Sequence, residues 1–211
     1  MKQETIWFSS DFHYNHKNLV KGISSWTNKV KCRDYETLDE HNDRLVKNIN
    51  SCVAPDDTLY FVGDWSFGST KDILDFRNRL VCKNIHMILG NHDKAIKQKQ
   101  RELIGQNKFI SISQIKEVKI EDQLIVLCHF PMRTWEKAHK GSWMLHGHCH
   151  GTLEKHYRFK QLFSKFFIRT EIAKTMDVGI DTHPQFKPYS YEAIKQIMDK
   201  RSVFKNIDHH E

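Results

Sequence analysis

A chain of 211 residues, 39% of them hydrophobic, with a mean hydropathy of −0.63, can fill one large core under a polar, soluble surface. It has no run near the ~18 to 20 apolar residues of a membrane helix. The formal charge of +7 and the pI near 9.1 favour anionic partners in general. Five cysteines, odd in number and without a C-x-x-C pair, suggest neither a disulfide framework nor a thiolate zinc knuckle. The expected setting is therefore a reducing cytoplasm, with no secretory leader before the first strand.

Thr5-Ile6-Trp7-Phe8-Ser9 reads as that first strand. It leads to Asp11-Phe12-His13, where two ligand-type side chains two residues apart face the same side of an extended segment. His16 is open to two readings, a contact to phosphate or metal and a surface histidine at a helix start. Residues 22 to 36 show no period and read as an irregular connection. From Thr37 to Val53 the apolar Leu38, Leu45, Val46, Ile49, Cys52 and Val53 recur at helical spacing, and Pro55-Asp56-Asp57 closes this covering helix. Thr58 to Val62 is the second strand, followed by Gly63, which permits a sharp turn, and Asp64. Ser69, with Asp72 three residues on, predicts an N-cap for a helix carrying Ile73, Phe76 and Leu80. Asn84 to Leu89 is a third strand, and it ends in Gly90-Asn91-His92-Asp93. The β, α, β, α, β order predicts an α/β layered fold.

The second half differs. Phe109 to Ile112, Glu117 to Ile120 and Leu124 to Leu127 are short strand-like runs, with a tight turn at Glu121-Asp122, so antiparallel strands are expected to join the sheet. Trp143 to His146 and Met176 to Ile180 read as later strands, and Ser190 starts a final helix with Ile194, Ile197 and Met198 on one face. Residues 152 to 175 interleave Lys155, Arg158, Lys160, Lys165, Arg169 and Lys174 with Tyr157, Phe159, Phe163, Phe166 and Phe167. They read as a basic-aromatic insertion in one domain spanning 1–211, forming a lid or side wall beside the site or else packing on the core.

Gly90-Asn91-His92-Asp93 alone is ordinary turn chemistry. Its meaning comes from repetition, because Asp11-Phe12-His13, Gly63-Asp64, His129 and Gly147-His148-Cys149-His150 also follow strand-like runs. Ligands of α/β folds collect at such strand ends, and His, Asp and Asn are hard-to-borderline metal ligands. Cys128 and Cys149 adjoin these positions and have two readings, small buried residues beside the site, which is preferred, and thiolate ligands.

This ordered set resembles the calcineurin-like metallophosphoesterase superfamily, whose motifs D-x-H, G-D, G-N-H-D/E, H and G-H-x-H match in order over about residues 5 to 151; the likeness is greatest to its small bacterial and phage phosphoesterases. The resemblance implies a four-layer αββα sandwich of two mixed sheets flanked by helices. It implies two divalent ions, drawn from Mn, Fe, Ni, Zn or Co with Mn favoured. Asp11, His13 and His150 would hold one ion, Asn91, His129 and His148 the other, and Asp64 would bridge. A metal-bridging hydroxide would attack phosphorus in a mono- or diester, His92 would protonate the leaving oxygen, and Asp93 would orient His92. The expected partner is a phosphorylated small molecule, nucleotide or single-stranded nucleic acid, with no membrane. The rival reading is a nucleic-acid-binding module that uses the stretch 152 to 175 and a structural metal site. Binding alone does not require Asp64, Asn91 and paired histidines at strand ends.

Overall fold

A computed structural model describes residues 4–20, 33, 35–153 and 173–203. In chain order the main elements are β1 (Ile6–Ser9), α1 (Leu38–Asn50), β2 (Thr58–Val62), α2 (Thr70–Arg79), β3 (Asn84–Ile88), α3 (Lys94–Gln98), α4 (Gln100–Gly105), β4 (Ser111–Ser113), β5 (Ile115–Ile120), β6 (Gln123–Cys128), β7 (Trp143–His146), β8 (Thr175–Asp177), β9 (Tyr189–Ser190) and α5 (Tyr191–Met198). Most of the irregular connection, and 154–172 of the basic-aromatic stretch, lie outside the described residues.

The strands form two mixed sheets. One has the order β4-β3-β2-β1-β9, parallel except for β9. The other has the order β5-β6-β7-β8, with β5 antiparallel to β6 and the rest parallel. The β5–β6 hairpin turns at Glu121, whose φ is +53°, as expected of that dipeptide. It opens the second sheet and does not extend the first, because β4 already closes the first sheet's edge against β3.

Period-two alternation between two cores explains why β2 is apolar after Thr58. Leu59 and Phe61 enter a core with Leu45 and Ile49 of α1 and Ile73 and Phe76 of α2. Val62 and Tyr60 face the opposite way, with Phe8 and Ile88, onto Ile125, Leu127 and Leu145 of the second sheet. Each such fully buried side chain contributes about 1.5–3 kcal/mol. α5 seals the inter-sheet core with Tyr191, Ile194 and Met198. Trp135, Ala138 and Ala173 pack on the outer side of the second sheet.

Local signals hold where they are strong. The Thr37 hydroxyl accepts from the backbone N–H of Glu40 at 3.1 Å and starts α1, Asp72 accepts from the Ser69 N–H at 2.6 Å, and Ser190 accepts from Ala193 N–H at 3.2 Å. α3 and α4 have no counterpart in the sequence reading, since five and six residues are too few to show a helical period. The strand expected over 176–180 is shorter. Asp177 turns its carboxylate onto the N–H of Gly179 at 2.8 Å, and a 3₁₀ turn at Ile180–Thr182 follows.

Candidate metal centre

Parallel strands β1, β2 and β3 of one sheet and β6 and β7 of the other end at one edge, and backbone bonds lace their loops together. Asp11 N–H donates to the Gly63 carbonyl at 2.9 Å, His13 N–H to Asp64 at 3.0 Å, and Gly147 N–H to His129 at 3.0 Å. Ser10 N–H reaches the Val178 carbonyl at 3.1 Å, which ties β1 to the segment leaving β8. All seven residues expected as ligands converge here. Asp11, His13 and His150 bring one donor atom each within 4.8 Å of one another, and Asp11, Asp64 and His129 do the same. Asn91 Oδ1 lies 3.0 Å from His129 Nε2 and 3.1 Å from His148 Nδ1.

Backbone strain is concentrated at the same place. Asp11, His13, Asp64, His148 and His150 have φ of +57°, +49°, +62°, +69° and +46°, half of the non-glycine residues with positive φ in the described part. Each such residue costs of the order of 1–3 kcal/mol, and costs of this kind gather where function over-determines the conformation. Gly90 shows how tight the packing is: a Cβ there would stand 2.3 Å from Asp64 Oδ1.

The imidazoles are held so that a nitrogen faces the centre. His129 Nδ1 lies 2.9 Å from the Val62 carbonyl and as N–H donates to it, which leaves Nε2, 3.5 Å from Asp64 Oδ2, to act as the ligand atom. His150 Nδ1 sits 2.5 Å from Asp181 Oδ2, and its Nε2 is 3.6 Å from Asp11 Oδ1. Asp181 is itself gripped by the fully buried Arg33, through Nε at 2.6 Å and Nη2 at 2.9 Å, and that guanidinium also donates to the carbonyls of Asp11 and Phe12. Asp177 accepts from Gly151 N–H at 2.8 Å and anchors the turn after His150. None of Arg33, Asp177 and Asp181 was visible in the sequence. Arg33 lies in an aperiodic stretch, Asp177 lies within the run read as strand, and Asp181 lies just after it.

Burial pushes His13 down to about 3, which keeps it a neutral ligand-type imidazole. Burial would raise Asp11, but the His13 and His150 imidazoles outweigh it and hold the carboxyl well below the usual range. Burial raises Asp64 against the opposing effect of His129. For His150, burial is overcome by the Asp181 carboxylate, which raises it. Burial also raises the thiols of Cys128 and Cys149, the latter to about 11, so neither offers a thiolate.

The donor set of carboxylates, imidazoles and one amide fits hard-to-borderline divalent ions, and its two groups share Asp11. A structural zinc site, which takes four closed ligands and often thiolates, does not match it.

One expected role is corrected. Asp93 does not orient His92: its buried carboxylate accepts from the backbone N–H groups of Gly90, Asp64 and Trp65 at 2.7, 2.7 and 2.9 Å, and so pins the β2 and β3 loops together. Burial raises it to about 6 in spite of those donors. His92 is fixed through its own N–H, 2.9 Å from Asp64 Oδ1, while its imidazole is 43% exposed with Nε2 3.9 Å from Asp64 Oδ2. His16 stacks on Phe67 at 3.6 Å and lies 5.5 Å, ring to ring, from His13, on the rim of the centre.

A family model described as calcineurin-like phosphoesterase matches residues 4–164, and the chain belongs to that family. Membership makes it a metal-dependent phosphoester hydrolase in class. An uncharacterized protein of Methanocaldococcus jannaschii is 25% identical over 99% of both chains. The Gene 66 protein of Mycobacterium phage L5 is 27% identical over 74% of this chain and 83% of its own. A protein of unknown function from Aquifex aeolicus shares the fold, with a TM-score of 0.64 and 19% identity over 92% of this chain and all of that one. No helix among the described residues is long and apolar enough to cross a membrane.

Proposed function

We propose that the chain hydrolyses phosphoesters of nucleotide or nucleic-acid type with two divalent ions, Mn favoured. Asp11, His13 and His150 hold one ion, Asn91, His129 and His148 the other, and Asp64 is shared. The observation that carries this reading is the position of Asp64 Oδ2, 3.7 Å from His13 Nε2 on one side and 3.5 Å from His129 Nε2 on the other. Such ions supply Lewis acidity, neutralising phosphoryl charge and acidifying water near pH 7.

The protein's own groups do the rest. Burial keeps His13 neutral, and the Val62 carbonyl fixes the tautomer of His129, which leaves ring nitrogens available as ligands. His92, anchored by its backbone on Asp64 and flanked by Phe67 at 4.6 Å, presents an exposed imidazole that gives its proton to the leaving oxygen. Asp93 keeps the two loops in register and is a positioning residue. The free thiols of Cys52, Cys82, Cys128 and Cys149 suit the reducing cytoplasm we assign to it.

The test is to strip the protein of metal and reload it with Mn, Ni, Zn or Mg. Ion content is then counted by elemental analysis, and aryl phosphomonoesters and diesters are assayed. Two ions per chain and metal-dependent hydrolysis are expected. One ion per chain, or hydrolysis indifferent to metal, overturns the reading.

A further inference from the structure

A groove of about 400 Å³ opens directly from the metal centre. Gly90, Asn91 and Asp93 form its inner end, and Leu89, Ile115, Phe130, Lys94 and Lys97 line its walls. Its volume is that of a small-molecule site. Ile115 and Phe130 are 52% and 47% exposed, two of only five large apolar side chains left so exposed among the described residues. Exposed apolar area gathered in one groove marks a binding surface, whereas scattered single residues need no explanation. Phe130 is braced from behind, with its ring 4.7 Å from His148 and 5.2 Å from His129 in edge-on packing. Its orientation is thus tied to two ligand-type imidazoles of the centre. Lys94 and Lys97, three residues apart on one face of α3, are exposed and line the same walls, and neither has an ion-pair partner among the described residues.

An aromatic wall beside a phosphoester centre, with two free cations within the same space, matches one substrate chemistry. We infer that this groove binds the organic half of the substrate: a nucleobase lies on Phe130 and Ile115 while a second phosphate meets Lys94 and Lys97. The inference rests on the phosphoesterase reading and names its substrate class as nucleotides that carry more than one phosphate. Stacking of a base on an aromatic side chain is worth about 1–3 kcal/mol, a factor of roughly 5 to 150 in binding. The lysines add attraction that falls with salt. Trp65 is fully buried and buried Tyr14 stacks on Phe76 at 4.4 Å, so neither offers a face to a substrate.

Two 4-nitrophenyl diesters with the same leaving group test it, one of thymidine 5′-phosphate and one of methyl phosphate. In the wild type the thymidine ester is expected to have the higher kcat/KM. Phe130→Ala lowers the ratio of the two kcat/KM values about tenfold, chiefly through KM. A readout independent of turnover is calorimetric titration of thymidine 3′,5′-bisphosphate. Phe130→Ala weakens it about tenfold, and Lys94→Glu with Lys97→Glu weakens it comparably while flattening its salt dependence. Thermal melting of the variants checks that they fold, which these exposed positions permit. Unchanged ratio and unchanged titration in both variants overturn the groove. Hydrolysis of neither ester by metal-loaded wild type overturns the phosphoesterase reading instead, so the two failures are distinguishable.

Discussion

Asp11 and His13 are 0% and 1% exposed, and His150 beside them is backed by Asp181 and Arg33. Across Asp64, Asn91 and His148 face solvent, and only His129 is buried there. One half of the centre is wired into the interior through successive hydrogen bonds, and the other is assembled at the mouth from side chains that lean mainly on one another. Second-layer partners fix ligand orientation before any ion arrives, so the buried half should bind first and tightest and the open half should exchange more readily. The open half is also where substrate must enter, beside His92 and the groove at Phe130.

Asp64 lies between the halves, 3.7 Å from His13 Nε2 and 3.5 Å from His129 Nε2, and its loss gives the largest expected effect. Asp64→Ala should lose most of both ions by elemental analysis and essentially all hydrolysis. A variant retaining two ions and activity would mean that the halves do not share it.

His92→Ala comes next and breaks only the chemistry at the open side. Ion content should stay at the wild-type level while kcat falls about 10² to 10⁴, the usual share of general acid catalysis. The fall should be smallest for nitrophenolate, which leaves without a proton. An equal loss for alkoxide and nitrophenolate leaving groups would assign His92 to phosphate positioning.

Asp181→Asn tests the wiring of the buried half. Affinity for the tighter ion should drop about 10- to 100-fold, the range for second-layer partners, and the weaker site should change less. An equal drop at both sites would contradict the division. Arg33→Ala, which takes the guanidinium away from buried Asp181 and leaves it His150, should cost up to about 3–5 kcal/mol of stability.

The smallest effect concerns His41, which lies behind the buried half near Arg33 and Asp181. Burial first, and Arg33 second, push it down to about 3. The unfolded chain therefore takes up a proton near 6.5 that the folded chain refuses until about 3. Stability from this group is complete above pH 6.5 and is lost as pH falls from 6.5 towards 3, at up to about 1.4 kcal/mol per pH unit. Urea midpoints of His41→Gln should decline less than wild type between pH 7 and 5; parallel declines would show that His41 does not set this slope.

Those experiments address features of very different visibility in the chain. The strands ending at Asp11, Asp64, Asn91 and His129 could be read because apolar runs of strand length stop abruptly in ligand-type residues, and the caps at Thr37, Ser69 and Ser190 because they are local. α3 and α4 could not be read, being too short to display a period. Asp93 was placed correctly in its motif but given the wrong neighbour, since its nearness to His92 in sequence says nothing about where its carboxylate turns.

By itself the sequence determined the α/β layering and the order of the strand-end motifs, because alternation, capping and motif spacing act over a few residues, while the seven expected ligands came from the resemblance those motifs carry. Only the tertiary structure decided that the hairpin β5–β6 opens a second sheet, that Asp93 clamps two loops, that Arg33 and Asp181 stand behind His150, and that Phe130 and Lys97 share a groove. Each of these joins side chains far apart in the chain, from the 29 residues between Asp64 and Asp93 to the 148 between Arg33 and Asp181. Such contacts follow from how the two sheets pack, which no local pattern records.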